Sequence, residues 1–219
     1  MNPDDRAGSP VTGPITHVAA FDLDGTLTTR DCVVPFLRRV AGTRSLATRM
    51  LRHPVGLAGA GLRRDRDALK RASAAGAFAG HDADEVQRIA DAFAEEVHAS
   101  WLRRDVVAEL EQHRDRGDAV VVVSASFEVY VRPLAALLGA QDVLATRLDV
   151  DEAGRLSGQL VGTNCRGPEK VRRLHAWLDE HTDGRSAVGV TAYGDSAGDR
   201  ELLLDADVAR WVGRGKMPR

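Results

Sequence analysis

A mixed α/β fold on a mostly parallel sheet is predicted for this 219-residue chain by three observations. Short, mainly apolar runs at 17–21, 119–123 and 187–193 are separated by stretches with helical spacing, the alternation that places helices on both faces of a parallel sheet. The runs are rich in Val, Ala and aromatic residues with little polar alternation, as strands buried on both faces require. Each run also ends in polar residues: Asp22 and Asp24, Ser124, then Asp195. Ligands of open α/β sheets sit beyond the carboxyl ends of strands, so these groups fall where chemistry is expected.

Element by element, residues 1–14 (MNPDDRAGSPVTGP) lack an apolar core and read as a flexible leader. The run His17–Phe21 is the first strand, stopped by a turn at Gly25. From 31 to 101 Ala, Arg and Leu recur at helical spacing, interrupted at Gly42, His53-Pro54 and Gly80-His81-Asp82, which predicts a helical insertion. Residues 106–116 form an amphipathic helix closed by Gly117. The buried strand at 119–123 leads into Ser124-Ala125-Ser126 and a helical segment that Pro133 should kink or restart. A hairpin is expected from 148–150 through the Gly154 loop to 156–161, followed by a helix begun by Pro168 and running to about His181. The strand at 187–193, a short helix at 199–204 and a last strand at 208–212 complete the order. The predicted organisation is therefore a leader (1–14), an α/β core (15–30 and 102–219) and a helical insertion (31–101).

Composition narrows the function. With 30 basic and 32 acidic residues the net charge is −2, which argues against a nucleic-acid-binding surface. Cys32 and Cys165 are too few for a disulfide framework and have no zinc-type spacing, and together with the lack of a signal peptide this predicts a soluble cytoplasmic protein. The apolar stretch 46–62 contains Arg49, Arg52, His53 and Pro54, so no membrane span is expected there. The run Arg63-Arg64-Asp65-Arg66 with Lys70-Arg71 reads as a solvated helix face, and Gly56–Gly61 as close helix packing. The seven histidines show no ligand spacing, and Trp101, Trp177 and Trp211 are assigned to the core.

The chemistry resides in the strand ends. Neighbouring strands lie ~4.8 Å apart, so Asp22, Asp24, Ser124, Asp195 and Asp199 would converge if their strands are adjacent. Carboxylates about 4 Å apart repel by about 4 kcal/mol at an effective dielectric of 20, so such a cluster needs a cation. All-oxygen ligands point to a hard ion such as Mg²⁺, which usually keeps room for water and a substrate phosphate. Lys170 supplies a second positive charge, Ser124 a hydroxyl, and the amides at Ala125 and beyond would donate to an anion at a helix start. Asp22 is an ionised carboxylate able to attack phosphorus, giving an aspartyl-phosphate. Asp24, two positions on, is placed to protonate the leaving alkoxide and then deprotonate water.

Four motifs in order, Asp22-Leu23-Asp24-Gly25-Thr26, Ser124 after Val120–Val123, Lys170, and Gly194-Asp195-Ser196-Ala197-Gly198-Asp199, resemble those of the haloacid dehalogenase superfamily phosphohydrolases. The stretch from Arg147 to Gly158 is similar to the segment that phosphoserine phosphatases carry between their second and third motifs. The resemblance implies a Rossmann-like core with the 31–101 insertion as a helical cap, and Mg²⁺ held by Asp22, the Asp24 carbonyl and Asp195, with Asp199 supporting it. Phosphate would be held by Ser124, Ala125 and Lys170. Asp31 takes roughly the place of an acidic substrate-binding residue of that branch, whereas Ala125 and Ser126 replace the usual two glycines and narrow the pocket floor. Phe127 and Arg166 adjoin these site residues without an assigned role. The expected function is Mg²⁺-dependent hydrolysis of a small phosphorylated metabolite. Phosphotransfer to another acceptor, or non-catalytic binding of a phosphometabolite for regulation, are the alternatives, and oligomeric state is left open.

Overall fold

The computed structural model describes residues 14–42 and 66–217. The expectations for 1–13, for the stretch 46–62 with its glycines, and for Arg63–Asp65 lie outside the described residues. Among those described, six strands form one sheet in the order β4-β3-β2-β1-β5-β6. They are β1 (His17–Phe21), β2 (Ala119–Phe127), β3 (Asp142–Val150), β4 (Leu156–Val161), β5 (Gly189–Gly194) and β6 (Val208–Trp211). All neighbours pair in parallel except β3 and β4, which form the hairpin at one edge.

Alternate residues of the central strands enter two separate apolar cores. Ala19, Phe21, Val120, Val122 and Tyr193 belong to one, and Val18, Ala20, Val121, Val123, Val190 and Ala192 to the other. The period-two geometry of a strand produces this division, and a sheet buried on both faces needs apolar residues at every position. On the first face pack α1 (Val33–Ala41), α2 (Arg66–Phe78), α3 (Ala83–Ser100), α4 (Arg104–Asp115) and α5 (Glu128–Leu137). On the second face lie α6 (Pro168–His181), through Leu174, Trp177 and Leu178, and α7 (Arg200–Asp205), through Leu202 and Leu203. Each fully buried Leu or Phe contributes roughly 1.5–3 kcal/mol relative to exposure.

Two segments join the helices of 33–100 to the sheet. Thr28 bridges Leu102, the Thr29 amide donates to the Trp101 carbonyl at 2.8 Å, and the Arg103 amide donates to the Leu27 carbonyl at 2.9 Å. Arg30 stacks its guanidinium 3.5 Å from the Trp101 ring centroid, adding a cation–π contact to the same crossing. At the far end α2 lies on β4, and the Gly80 amide donates to the Leu156 carbonyl at 2.8 Å. Asp82 then caps α3 by accepting from the Glu85 amide at 3.0 Å.

Of the two outcomes expected at Pro133, a kink or a restart, the restart does not occur, and the start of one strand is corrected. Helix α5 runs through Pro133 without a restart. The ring removes the donor that would reach the Val129 carbonyl, and Gln87 of α3 donates to that oxygen instead, at 3.2 Å. Strand β3 begins at Asp142, six residues before the expected hairpin, and its first half pairs in parallel with β2. Polar Asp142 and Thr146 mask that half in the sequence, yet both are internally bonded. Asp142 accepts from the Trp177 indole at 2.8 Å, and Thr146 donates its hydroxyl to the Ala125 carbonyl at 3.0 Å.

Close contact between α2 and β4 depends on one small residue. A Cβ on Gly158 would stand 2.8 Å from the Ala79 Cβ and 3.0 Å from the Ala75 Cα, at a φ of +80° that side chains resist. Gly158→Val is expected to push α2 away from the sheet and cost about 2–4 kcal/mol in denaturant unfolding, whereas the same change at exposed Gly154 costs less because nothing lies within 4 Å of its added Cβ.

Candidate active site

Strands β2, β1 and β5 are neighbours, and their register puts Val122 and Tyr193 level with Phe21. Asp22, Ser124 and Asp195, which follow these positions, therefore emerge at one end of the sheet. Asp22 is fixed by its own amide, which donates to the Tyr193 carbonyl at 3.0 Å. After it the chain folds through one tight turn (Leu23–Leu27), closed by the Thr28 amide on the Leu23 carbonyl at 3.0 Å. Gly25 sits in this turn at a φ of +81°, and a Cβ there would lie 2.2 Å from Asp195 Oδ2. The turn thus needs glycine both for its backbone angle and for the approach of the Asp195 carboxylate. Arg103 clamps it, donating to the Gly25 carbonyl at 3.1 Å and to the Val212 carbonyl at 3.0 Å.

Lys170 reaches the cluster from the first turn of α6. Its ammonium, 1% exposed, donates to Asp22 Oδ1 and to Asp199 Oδ1, each at 2.6 Å. Asp199 holds its second oxygen against the Ser196 amide at 3.0 Å and the Ser196 hydroxyl at 2.7 Å. Burial alone would lower the Lys170 ammonium, but Asp22 and Asp199 outweigh it and raise it above its ordinary range. Asp199 is correspondingly held down: burial favours its neutral form, and Lys170 more than reverses that. The Asp22 carboxyl is pushed up by burial, opposed by Lys170 and reinforced by the charges of Asp199 and Asp24.

One oxygen of each of Asp22, Asp195 and Asp199 lies within 4.8 Å of the others. Asp195 Oδ1 is buried without a hydrogen-bond partner, and burial together with the Asp199 charge raises its carboxyl. An orphaned buried carboxylate oxygen among other carboxylates is costly unless a cation meets it. An all-oxygen donor set of this charge fits a hard divalent ion such as Mg²⁺.

Asp24 faces a different way. Its carboxylate accepts from the Cys32 amide at 2.7 Å and from the Ser126 hydroxyl, and burial followed by the nearby Asp31 charge raises its carboxyl. Ser124, 1% exposed, receives the Ser126 amide on its hydroxyl oxygen at 3.1 Å, and the intervening Ala125 is half-buried. Asp31 is exposed and starts α1, accepting from the Val33 amide at 2.9 Å. The Arg166 side chain lies along Gly198, whose added Cβ would be 3.0 Å from Arg166 Nε.

Sequence reading missed Lys70. Expected on a solvated face, it is 9% exposed, with its ammonium 3.7 Å over the ring of buried Phe127. Among the described residues it forms no ion pair. Burial lowers it to about 8, against the opposing charges of Asp24 and Asp31. The detectable signal was helical spacing: Lys70, Ala74, Ala77 and Phe78 lie on one buried stripe.

The sequence pattern of haloacid dehalogenase-like hydrolases matches residues 19–204. Protein CicA of Caulobacter vibrioides is 38% identical over 214 residues, 96% of this chain and 94% of its own. Histidinol-phosphatase of Neisseria meningitidis is 32% identical over 107 residues, 48% of this chain and 47% of its own. A substrate-bound phosphoserine phosphatase structure superposes with a TM-score of 0.59 at 19% identity, covering 89% of this chain and 84% of its own, and so shares the fold.

Glu169, the residue before Lys170 in α6, is paired with Arg172 and Arg173. Arg172 holds the Glu169 carboxyl down, to about 2, against the effect of burial, and Arg173 adds to the lowering. Because the folded value lies below the ordinary 4.5, the stabilisation is complete above that pH and is lost as the pH falls toward 2. Glu169→Gln should lower stability by about 1 kcal/mol at neutral pH, after allowance for solvent screening, and the difference from the parent should vanish in urea unfolding near pH 2–3.

Proposed function

For this chain, which belongs to the haloacid dehalogenase-like hydrolases, we propose a Mg²⁺-dependent phosphomonoesterase that works through a phosphoryl group carried on Asp22. The observation that carries the reading is the Lys170 ammonium wedged between Asp22 and Asp199, beside the unpartnered oxygen of Asp195. Asp22, Asp195 and the Asp24 carbonyl would hold the Mg²⁺, with Asp199 supporting it. When bound, the ion supplies positive charge that neutralises the carboxylates and the phosphoryl oxygens.

Each step falls to a side chain. An Asp22 carboxylate oxygen attacks phosphorus, and the ester oxygen leaves with its electron pair. The proton that this alkoxide needs comes from the Asp24 carboxyl, whose affinity for protons burial raises. A water then attacks the aspartyl-phosphate, Asp24 takes the proton back, and Asp22 is released with inorganic phosphate. Lys170, Ser124 and the Ala125 amide would stabilise the charge on the transferring group, the Ser126 amide being held by the Ser124 hydroxyl in a strand that continues to Phe127. Burial against the Cys32 amide and the Ser126 hydroxyl holds Asp24 in one rotamer for both transfers.

Substrate preference would be set by the wall that α2 contributes. Lys70 offers a desolvated ammonium over Phe127, near Asp24 and Asp31, a setting for a second anionic group on a small phosphorylated metabolite. The name of the Neisseria relative likewise describes a phosphatase of a small metabolite.

Phosphate release across a panel of soluble phosphomonoesters tests the reading. Asp22→Asn should lose turnover by about a thousandfold or more with an unchanged circular dichroism spectrum, and chelation should abolish activity until Mg²⁺ is restored. Full turnover in that variant would remove Asp22 from the nucleophile role. On the best substrate of the panel, Lys70→Met should raise KM about 10- to 100-fold with kcat changed far less, since it removes binding and not bond-making.

A further inference from the structure

Strand β1 carries a second polar cluster at its other end. His17 opens the strand five residues before Asp22, about 16 Å away at ~3.3 Å per residue. It lies on the face covered by α4, from which His113 projects, and Asp118 follows the short turn into β2. Two backbone hydrogen bonds close that turn: the Asp118 amide donates to the His113 carbonyl at 3.0 Å, and the Gly117 amide to the Arg114 carbonyl at 2.9 Å. The two imidazoles stack in parallel at 5.9 Å. One nitrogen of each and a carboxylate oxygen of Asp118 lie within 4.8 Å of one another. They line a polar cavity of about 370 Å³ between α4 and β5–β6, which Glu109, Arg116, Thr191 and Arg210 also line.

Proton positions around His113 are set by its partners. The Tyr193 hydroxyl donates to Glu109 Oε2 at 2.8 Å, so its contact with His113 Nε2 at 3.0 Å requires the proton on that nitrogen. His113 Nδ1 is then a bare lone pair, 2.7 Å from the equally bare Asp118 Oδ2. Two lone pairs at that distance repel unless a cation faces both. Here the cation is Arg116, whose Nη2 donates to Nδ1 at 2.8 Å and to Oδ2 at 3.1 Å. The Arg116 side chain is 55% exposed and can swing into solvent, leaving the two donors in place.

We propose that His17, His113 and Asp118 form a binding site for a borderline divalent transition-metal ion of the Zn²⁺ type, with Arg116 as the resident cation that the metal displaces. Two imidazoles and one carboxylate suit Zn²⁺, Co²⁺ or Ni²⁺, whereas the all-oxygen cluster at the other end of β1 suits Mg²⁺. A fourth position opens on the cavity, where water or a small anionic ligand completes the coordination. This site ties the start of β1 to the α4–β2 turn and is independent of the hydrolytic reading.

Calorimetric titration of the full chain with Zn²⁺ in a large excess of Mg²⁺, repeated with Co²⁺ and followed by visible absorption, tests the proposal. One equivalent should bind, with the intense Co²⁺ bands of a four-coordinate nitrogen and oxygen site. His17→Ala and Asp118→Asn should each weaken Zn²⁺ by about 10- to 100-fold while retaining the parent circular dichroism spectrum, and Arg116→Ala should strengthen it by about tenfold. Asp22→Asn should leave Zn²⁺ binding unchanged, which separates this site from the acidic one. Absence of saturable binding, affinity unmoved by His17→Ala and Asp118→Asn, or weaker binding in Arg116→Ala would each overturn the assignment.

Discussion

Lys170 has to be charged where no water reaches it, and most of the architecture around the candidate active site follows from that. Removing an ammonium and a carboxylate from water costs several kcal/mol for each ion, a cost offset only by close and complete pairing. The two contacts at 2.6 Å satisfy Lys170, but they leave one positive charge against the carboxylates of Asp22, Asp199 and Asp195. At about 4 Å each uncompensated pair repels by about 4 kcal/mol at an effective dielectric of 20. The excess negative charge is therefore a standing demand for a divalent cation. That demand is sharpest at Asp195, which keeps one unpartnered oxygen and whose carboxylate approaches the turn only because Gly25 has no Cβ.

Strand order is what makes this arrangement reachable. Because β1 lies between β2 and β5, the ends of three strands distant in sequence meet within one residue of the same level. Helix α6 then brings Lys170 in from the second face of the sheet, while α2 brings Lys70 in from the first. The two lysines differ in consequence. Lys170 is doubly paired and held above its ordinary range, fit to keep its charge. Lys70 rests over an aromatic ring, and burial lowers it. A buried ammonium without a carboxylate partner among the described residues is poised to gain from an anionic ligand in a way that Lys170 is not.

How much of this could be read from the amino acids depended on whether the signal was local. The Val120–Val123 run and the Asp-x-Asp-Gly turn declare themselves within a few residues, because burial on both faces and a positive φ each demand a particular residue type. The parallel half of β3 hides because Asp142 and Thr146 are polar, and their partners, Trp177 and Ala125, lie far along the chain. Pro133 signals a break in the helix, yet a glutamine from α3 replaces the missing donor across space. Lys70 looks solvated because a charge run on a helix usually is, and only the seating of α2 against the sheet buries it. His17 and His113 escape any search for ligand spacing for the same reason: the sheet and α4, not the sequence, make them neighbours.

Both ends of β1 now show the same physical problem with different chemistry. At the carboxyl end, oxygen donors converge on a place where charge is lacking. At the amino end, a nitrogen lone pair and a carboxylate converge on a guanidinium that is half in solvent. In each case the fold has packed electron-rich atoms closer together than they would settle unaided, so each needs a positive group to be stable. Lys170, fully buried, cannot leave, and it makes its end a fixed electrostatic frame on which further charge must be added. Arg116, on a turn and largely exposed, can leave, and it makes the other end exchangeable. A single strand thus links a site built for a resident charge to one built for charges that come and go, with Phe21 and Tyr193 stacked at 4.1 Å between them and joined to His113 through the Tyr193 hydroxyl.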